Sequence, residues 1–288
     1  PLTLLLVLLK GGDACAPPSP AVRAGRRGGK GSAPAAPECA LPGRAAAPGW
    51  GLPALFLAFA LGAVFMFHTW DYPTYVLLTA LCAYAFLRQR GRGVPSWPAA
   101  AWLLLVVAAS VVLFLPFRLR FAPAAKPSVG LVAPAYRSAL GAFLTVNGLA
   151  AAALLSLLAA EAAMAARAKG EIGRRRLFVL AVPAAAVVGF LSGTAVAGLA
   201  AGGVAAAAAL AFPRPGPPPE RRFVLLLALV CFAIFLGCEI VYLKDFYGER
   251  LQRQNTVFKY YFQAWILASV VFAAGGSRVA ALLPGAWR

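Results

Sequence analysis

The sequence predicts an all-α protein, a polytopic transmembrane helical bundle of about eight spans plus a partial first span. Three observations carry this expectation. Of 288 residues, 61% are hydrophobic and 12% charged, against roughly 45–50% and about 25% in an average soluble domain. Apolar runs approaching the roughly 20 residues that cross a hydrocarbon layer recur along the chain, separated by basic, Pro- or Gly-rich breaks. Lys and Arg also fall unevenly between alternate breaks, the pattern of a chain that crosses a bilayer repeatedly.

Residues 1–10 open inside an apolar run, Leu2 to Leu9, and read as a remnant of a transmembrane span, with upstream sequence missing. No basic n-region precedes this run, so it is not read as a signal peptide. Residues 11–50 form a Gly, Ala, Pro and Arg tract without hydrophobic period. They read as a disordered basic cytoplasmic loop, or as a stretch foreign to the rest of the chain, of the composition a frameshift in a GC-rich gene produces. Residues 51–276 hold the membrane domain and 277–288 a cytoplasmic tail. Within the domain, spans are expected at Leu52 to Phe67, Tyr72 to Leu87, Pro98 to Leu115, Ala139 to Ala160, Leu177 to Leu191, Thr194 to Phe212, Phe223 to Leu243 and Val257 to Ala274.

Charge counting gives these spans a direction. The breaks on one side carry 19 Lys and Arg and those on the other carry 8. The positive-inside rule makes the richer set cytoplasmic and puts the breaks at His68–Asp71, Pro116–Arg137 and Lys244–Lys259 outside. The formal charge of +18 is thereby topological, and no nucleic acid is expected as a partner, because the basic residues lie between apolar spans rather than along one aromatic-bearing surface. The five cysteines form no CxxC pair, so neither a metal cluster nor a disulfide framework is expected from them.

Two outer segments carry chemistry. In His68-Thr69-Trp70-Asp71-Tyr72-Pro73-Thr74-Tyr75, the rings of Trp70 and Tyr72 suit the headgroup layer or a substrate. Asp71 has no Lys or Arg in its own turn. It caps the helix that Pro73 begins, or it faces water or a partner from another loop. His68, the single histidine, suits hydrogen bonding or titration near neutrality.

In the second segment, Glu239 stands inside the apolar run Phe223–Leu243, where a charge costs about 2.5–3.5 kcal/mol at span centre unless it is paired or faces a polar cavity. Its alternatives are an ion pair with Lys244, Arg250 or Lys259, or a functional acid. Asp245 follows closely. Downstream, Asn255 or Thr256 reads as an N-cap, and Asn255, Lys259 and Gln263 recur every four residues on one helix face. A helix start with Lys259, Arg250 and Arg253 suits a phosphate at the membrane surface, or else anionic lipid headgroups.

These two stretches, His68 to Tyr75 and Glu239 to Asp245 with Arg253 to Trp265, resemble the signatures of the uncharacterised YYY membrane-protein family. Pro116-Phe117 resembles the pattern between them, so the likeness covers about Gly51 to Ala274. That family is grouped with the GT-C glycosyltransferases, so the resemblance implies a GT-C-like fold and a polyprenyl-phosphate-linked sugar as donor, with membrane lipids around it and room for a divalent metal. GT-C enzymes carry their catalytic acid in the first outer loop, which would lie before Pro1. Within this chain the acid roles then fall to Glu239 and Asp71. Asn255, Lys259, Asp245, Arg253, Gln263, His68, Trp70 and Tyr72 are candidate substrate-binding residues. A transporter or flippase for a lipid-linked or anionic solute, using the same acid and basic helix start, is the competing reading. A non-catalytic membrane subunit is the third.

Overall fold

The computed structural model describes residues 51–89, 97–121, 128–167, 184–185, 187–189, 191–213, 216–244 and 251–280. The remnant at 1–10, the tract at 11–50, most of the span at Leu177–Leu191, Asp245, Arg250 and the end of the tail lie outside them.

Helices dominate. In chain order they are α1 (Gly51–Phe67), α2 (Tyr72–Gln89), α3 (Trp97–Leu113), the short α4 (Leu115–Arg120), α5 (Leu140–Arg167), α6 (Ala195–Ala211), α7 (Pro219–Ile240) and α8 (Gln254–Ala280). Short 3-10 turns stand at Thr69–Asp71 and Pro134–Tyr136. Among the described residues three helices, α5, α7 and α8, contain windows long and apolar enough to cross a membrane; α1, α6 and the Ala100–Leu113 part of α3 are shorter apolar helices. A helical membrane protein is what these elements make.

The helix at the centre is α7. About 72% of its apolar window is buried inside the protein, against 33% for α5 and for α8. It packs against α6, α8 and α2, while α8 also lies along α5 and α1 lies along α3. Its core-facing side chains, Leu226, Leu227, Val230, Cys231 and Phe232, exclude solvent almost completely. Ala and Gly on α6 let the two helices approach closely: a Cβ at Gly203 would fall on the ring of Phe232. Phe143, Phe235 and Tyr261 meet edge-to-face where α5, α7 and α8 converge, with centroids 5.1–6.0 Å apart. The outward faces keep large apolar residues exposed, among them Phe56 and Phe59 on α1, Leu104 and Leu105 on α3 and Phe262 and Phe272 on α8. In a membrane protein these meet lipid rather than water.

Apart from Leu177–Leu191, most of which lies outside the described residues, the expected spans fall on helices with three differences. The run Phe223–Leu243 is not helical to its end: α7 starts at Pro219 and stops at Ile240, and Val241–Lys244 forms a strand, β2. That strand pairs antiparallel with β1 (Ser128–Leu131), in the register Ser128↔Lys244 to Leu131↔Val241. The all-α expectation therefore omits a two-stranded ribbon, whose β-branched Val129 and Val241 suit a pleated, half-buried surface. The run Pro98–Leu115 is broken after Leu113, and Leu115 starts α4 with Pro116 in its first turn. Finally, α8 begins at Gln254, before the expected N-cap at Asn255 or Thr256, because Val257 N–H already bonds the Arg253 carbonyl.

Candidate functional site

The ribbon, the 3-10 turn after α1 and the start of α8 gather at one end of the bundle. This brings the two sequence segments together across nearly two hundred residues. Their direct meeting point is Lys259, whose Nζ lies 4.4 Å from the centre of the Trp70 ring, a cation–π contact of a kind worth about 0.5–2 kcal/mol. Lys259 has no carboxylate partner among the described residues.

Within the turn, His68 Nδ1 lies 2.5 Å from Asp71 Oδ1. The local reason is the 3-10 geometry: Asp71 N–H bonds the His68 carbonyl, which sets the two side chains three residues apart on one side. Asp71 is therefore held by the imidazole. Burial pushes its carboxyl above the ordinary value near 3.8, and the charge of and hydrogen bond from His68 pull the other way. The aspartate side chain is 14% exposed and the histidine 42%, so the pair is open to the surface through the imidazole. Tyr72 is tied into the scaffold by a 2.8 Å hydrogen bond between its hydroxyl and Ser110 Oγ of α3. Its ring and that of Phe65 flank Arg118, whose guanidinium carbon lies 3.4 Å from the Phe65 centroid.

Glu239 is held differently. Its carboxylate, 1% exposed, accepts hydrogen bonds from Ser138 N–H (3.0 Å) and Ser138 Oγ (2.6 Å), and pairs with Arg253 Nη2 at 2.8 Å. The same guanidinium donates to the carbonyls of Cys238 and Tyr136. The ion pair foreseen for Glu239 is made with Arg253, and neither Lys244 nor Lys259 pairs with it; Arg250 lies outside the described residues. The turn Leu251–Arg253 folds back under α7, whereas Lys244 sits at the exposed edge of the ribbon. Arg253 is turned inward and 9% exposed. Together Glu239, Arg253, Ser138 and Tyr136 staple the loop before α5 to the end of α7 and the start of α8.

The face Asn255–Lys259–Gln263 runs from the surface inward. Asn255 and Lys259 are half-buried, and Gln263 is 3% exposed with no hydrogen-bond partner for Oε1. Thr256 Oγ1 accepts a 3.0 Å bond from Leu243 N–H and fastens the ribbon to α8. Beside these groups lies a cavity of about 240 Å³ between α2, the ribbon, α7 and α8. Among the described residues no three of His, Cys, Asp and Glu gather as metal ligands, and the described cysteines Cys82, Cys231 and Cys238 are buried and free.

Three polar contacts have no counterpart in the motif reading. Ser138 was hidden in an undistinguished loop, although an isolated Ser just before a long apolar run is an N-terminal signal. Asn147, 1% exposed within α5, accepts a 2.8 Å bond from Trp265 Nε1 of α8. Glu161, also 1% exposed, pairs with Arg221 and, at 3.9 Å, with Arg278 at the far end of the bundle. An acid near the end of an apolar run was the available signal for it.

The chain matches a family described as an uncharacterized membrane protein family (DUF2298) over residues 40–268, and it belongs to that family. No curated protein and no solved structure matches it. The match agrees with the expectation of an uncharacterised family of membrane proteins and spans both outer motifs.

Proposed function

We propose that the protein is a GT-C-type glycosyltransferase of the cell membrane. In this reading it crosses the bilayer about eight times and works on the extracytoplasmic face with a polyprenyl-phosphate-linked sugar as donor. The observation that supports this best is the juxtaposition at one bundle end of a hydrogen-bonded Asp71–His68 pair and a lysine, Lys259, without a carboxylate partner among the described residues. Transfer with inversion needs those two functions. The acceptor hydroxyl oxygen forms a bond to the anomeric carbon as the bond to the carrier phosphate breaks, and its proton passes to the Asp71 carboxylate, which His68 orients. The electron pair of the broken bond stays on the phosphate oxygen, where Lys259 stabilises the charge. Asn255, at the same helix start, is within the donor-binding face. Glu239 and Arg253, whose polar atoms are engaged with each other and with Ser138, position the loop and the start of α8 rather than touch substrate.

Transport is the weaker reading because, among the described residues, the buried polar groups do not connect. Along α5, Asn147 and Glu161 are separated by Leu154, Leu157 and Leu158, at 0–3% exposure, and Leu267 and Val271 of α8 close the same layer.

The experiment is a transfer assay on membranes containing the full chain, supplied with polyprenyl-phosphate sugars. Lys259→Ala is expected to raise the donor KM with a smaller effect on the acceptor, and Asp71→Asn to lower kcat. Wild-type turnover in both variants would defeat the assignment.

A further inference from the structure

The cavity beside the turn has a composition that the headgroup chemistry does not use. Its walls are Pro73, Thr74 and Leu77 of α2, Val129, Val241 and Leu243 of the ribbon, the Val230–Cys238 side of α7, and Thr256 and Tyr260 of α8. The ribbon supplies one wall, with Val129 opposite Leu243 in the register and Val241 and Tyr242 of β2 beside them. Three wall residues, Leu77 (41%), Val129 (63%) and Val241 (38%), are also substantially exposed, so the apolar lining continues out to the protein's surface between α2 and the ribbon. With the ribbon at one end of the bundle, that side opening meets the boundary between headgroups and hydrocarbon. Inside, Gly237 contributes only hydrogen, and a Cβ built on it would meet nothing within 4 Å.

The headgroup end of this slot is defined by charge. Lys259 adjoins the wall residue Tyr260, and Trp70, on which its ammonium rests, lies three residues before Pro73. Ligand pockets that enclose a whole small molecule measure roughly 300–1,000 Å³, so about 240 Å³ of cavity suits one stretch of a longer chain. An apolar slot open at the side, with Lys259 next to its wall residue Tyr260 and without a carboxylate partner among the described residues, is complementary to one ligand class, an anionic amphiphile carrying an aliphatic chain.

We propose that this cavity seats the first part of the aliphatic chain of a phosphate-bearing membrane lipid, which enters sideways between α2 and the β1–β2 ribbon and leaves its phosphate at Lys259. The inference rests on the donor reading above for the phosphate end and adds the place and route of the chain.

Gly237→Leu tests it, since the new side chain enters empty space and Leu has the better helix propensity. The full chain in neutral phosphatidylcholine nanodiscs would be photolabelled with a benzophenone-tagged polyprenyl phosphate, in competition with alkyl phosphates of increasing length. Wild-type protein is expected to bind competitors more tightly as the chain lengthens. Gly237→Leu is expected to bind the long-chain probe at least about tenfold more weakly, the loss of roughly two buried methylenes. Its affinity for inorganic pyrophosphate should be unchanged. Gly148→Leu, another open helical glycine away from the cavity, is the control and should behave as wild type. Affinity independent of chain length in the wild type, or full labelling of Gly237→Leu, would overturn the proposal. Chain-dependent, Gly237-sensitive labelling without sugar transfer would leave it standing and defeat the glycosyltransferase reading instead.

Discussion

Asp71 and Glu239 are two carboxylates at the same end of one bundle, and they differ in what remains unsatisfied around them. Glu239 is sealed, with both oxygens occupied by Ser138 and a guanidinium that is itself bonded to two carbonyls. Asp71 has one strong partner, a histidine that reaches the surface, and its pKa is raised by partial burial. An ionisable residue in an apolar run is the strongest single pointer in a membrane sequence, yet here the costlier acid is the better compensated. What marks a working acid is spare capacity and access, and those favour the turn over the helix.

The largest effect is expected on turnover. Loss of a positioned general base removes roughly 10²–10⁴-fold, so Asp71→Asn should lower kcat by that order while its melting temperature stays near wild type, read by transfer assay and thermal unfolding in parallel. Next, Arg253→Ala leaves Glu239 buried and unpaired, and breaking a buried pair from one side costs about 3–5 kcal/mol. It should appear as a large fall in thermal stability, with specific activity of the surviving folded protein retained. Ser138→Ala removes one donor from the same carboxylate and should cost about 1–3 kcal/mol, measurable by the same unfolding experiment. A substantial rate defect without instability in either variant would blur the contrast between the two acids.

The smallest effect is pH-dependent. Because the folded pKa of Asp71 lies above its unfolded value, the fold favours the protonated form. That contribution to stability is present below the unfolded pKa and is lost as pH rises through the folded one. Activity runs oppositely, since the base must be ionised, so the acid limb of the rate profile should sit above the ordinary aspartate range. His68→Gln removes the opposing pull of the imidazole and is expected to move that limb further up. An unmoved limb would detach His68 from Asp71.

Hydrophobic length alone located α1, α2, α5, α6 and α8 to within a few residues at their starts, because spans are set by local composition. It failed where a tertiary contact overrides that signal. Val241 to Leu243 read as the end of a helix, but the strand partner that draws them out lies more than a hundred residues earlier, at Val129 to Leu131. Ser138, a further partner of Glu239, was missed for the same reason, since the loop before α5 meets the end of α7 only in the folded bundle. The His68–Asp71 pair needed only a three-residue spacing and was accessible from the sequence, whereas its proximity to Lys259 through Trp70 was not.

The most direct measurement sets the two acids side by side: sugar transfer per folded molecule and melting temperature for Asp71→Asn and Glu239→Gln, each in the full chain. The expected result is a stable, inactive Asp71→Asn and a destabilised Glu239→Gln whose folded fraction still turns over. A stable, inactive Glu239→Gln beside an active Asp71→Asn would contradict the account and move the chemistry to the helix.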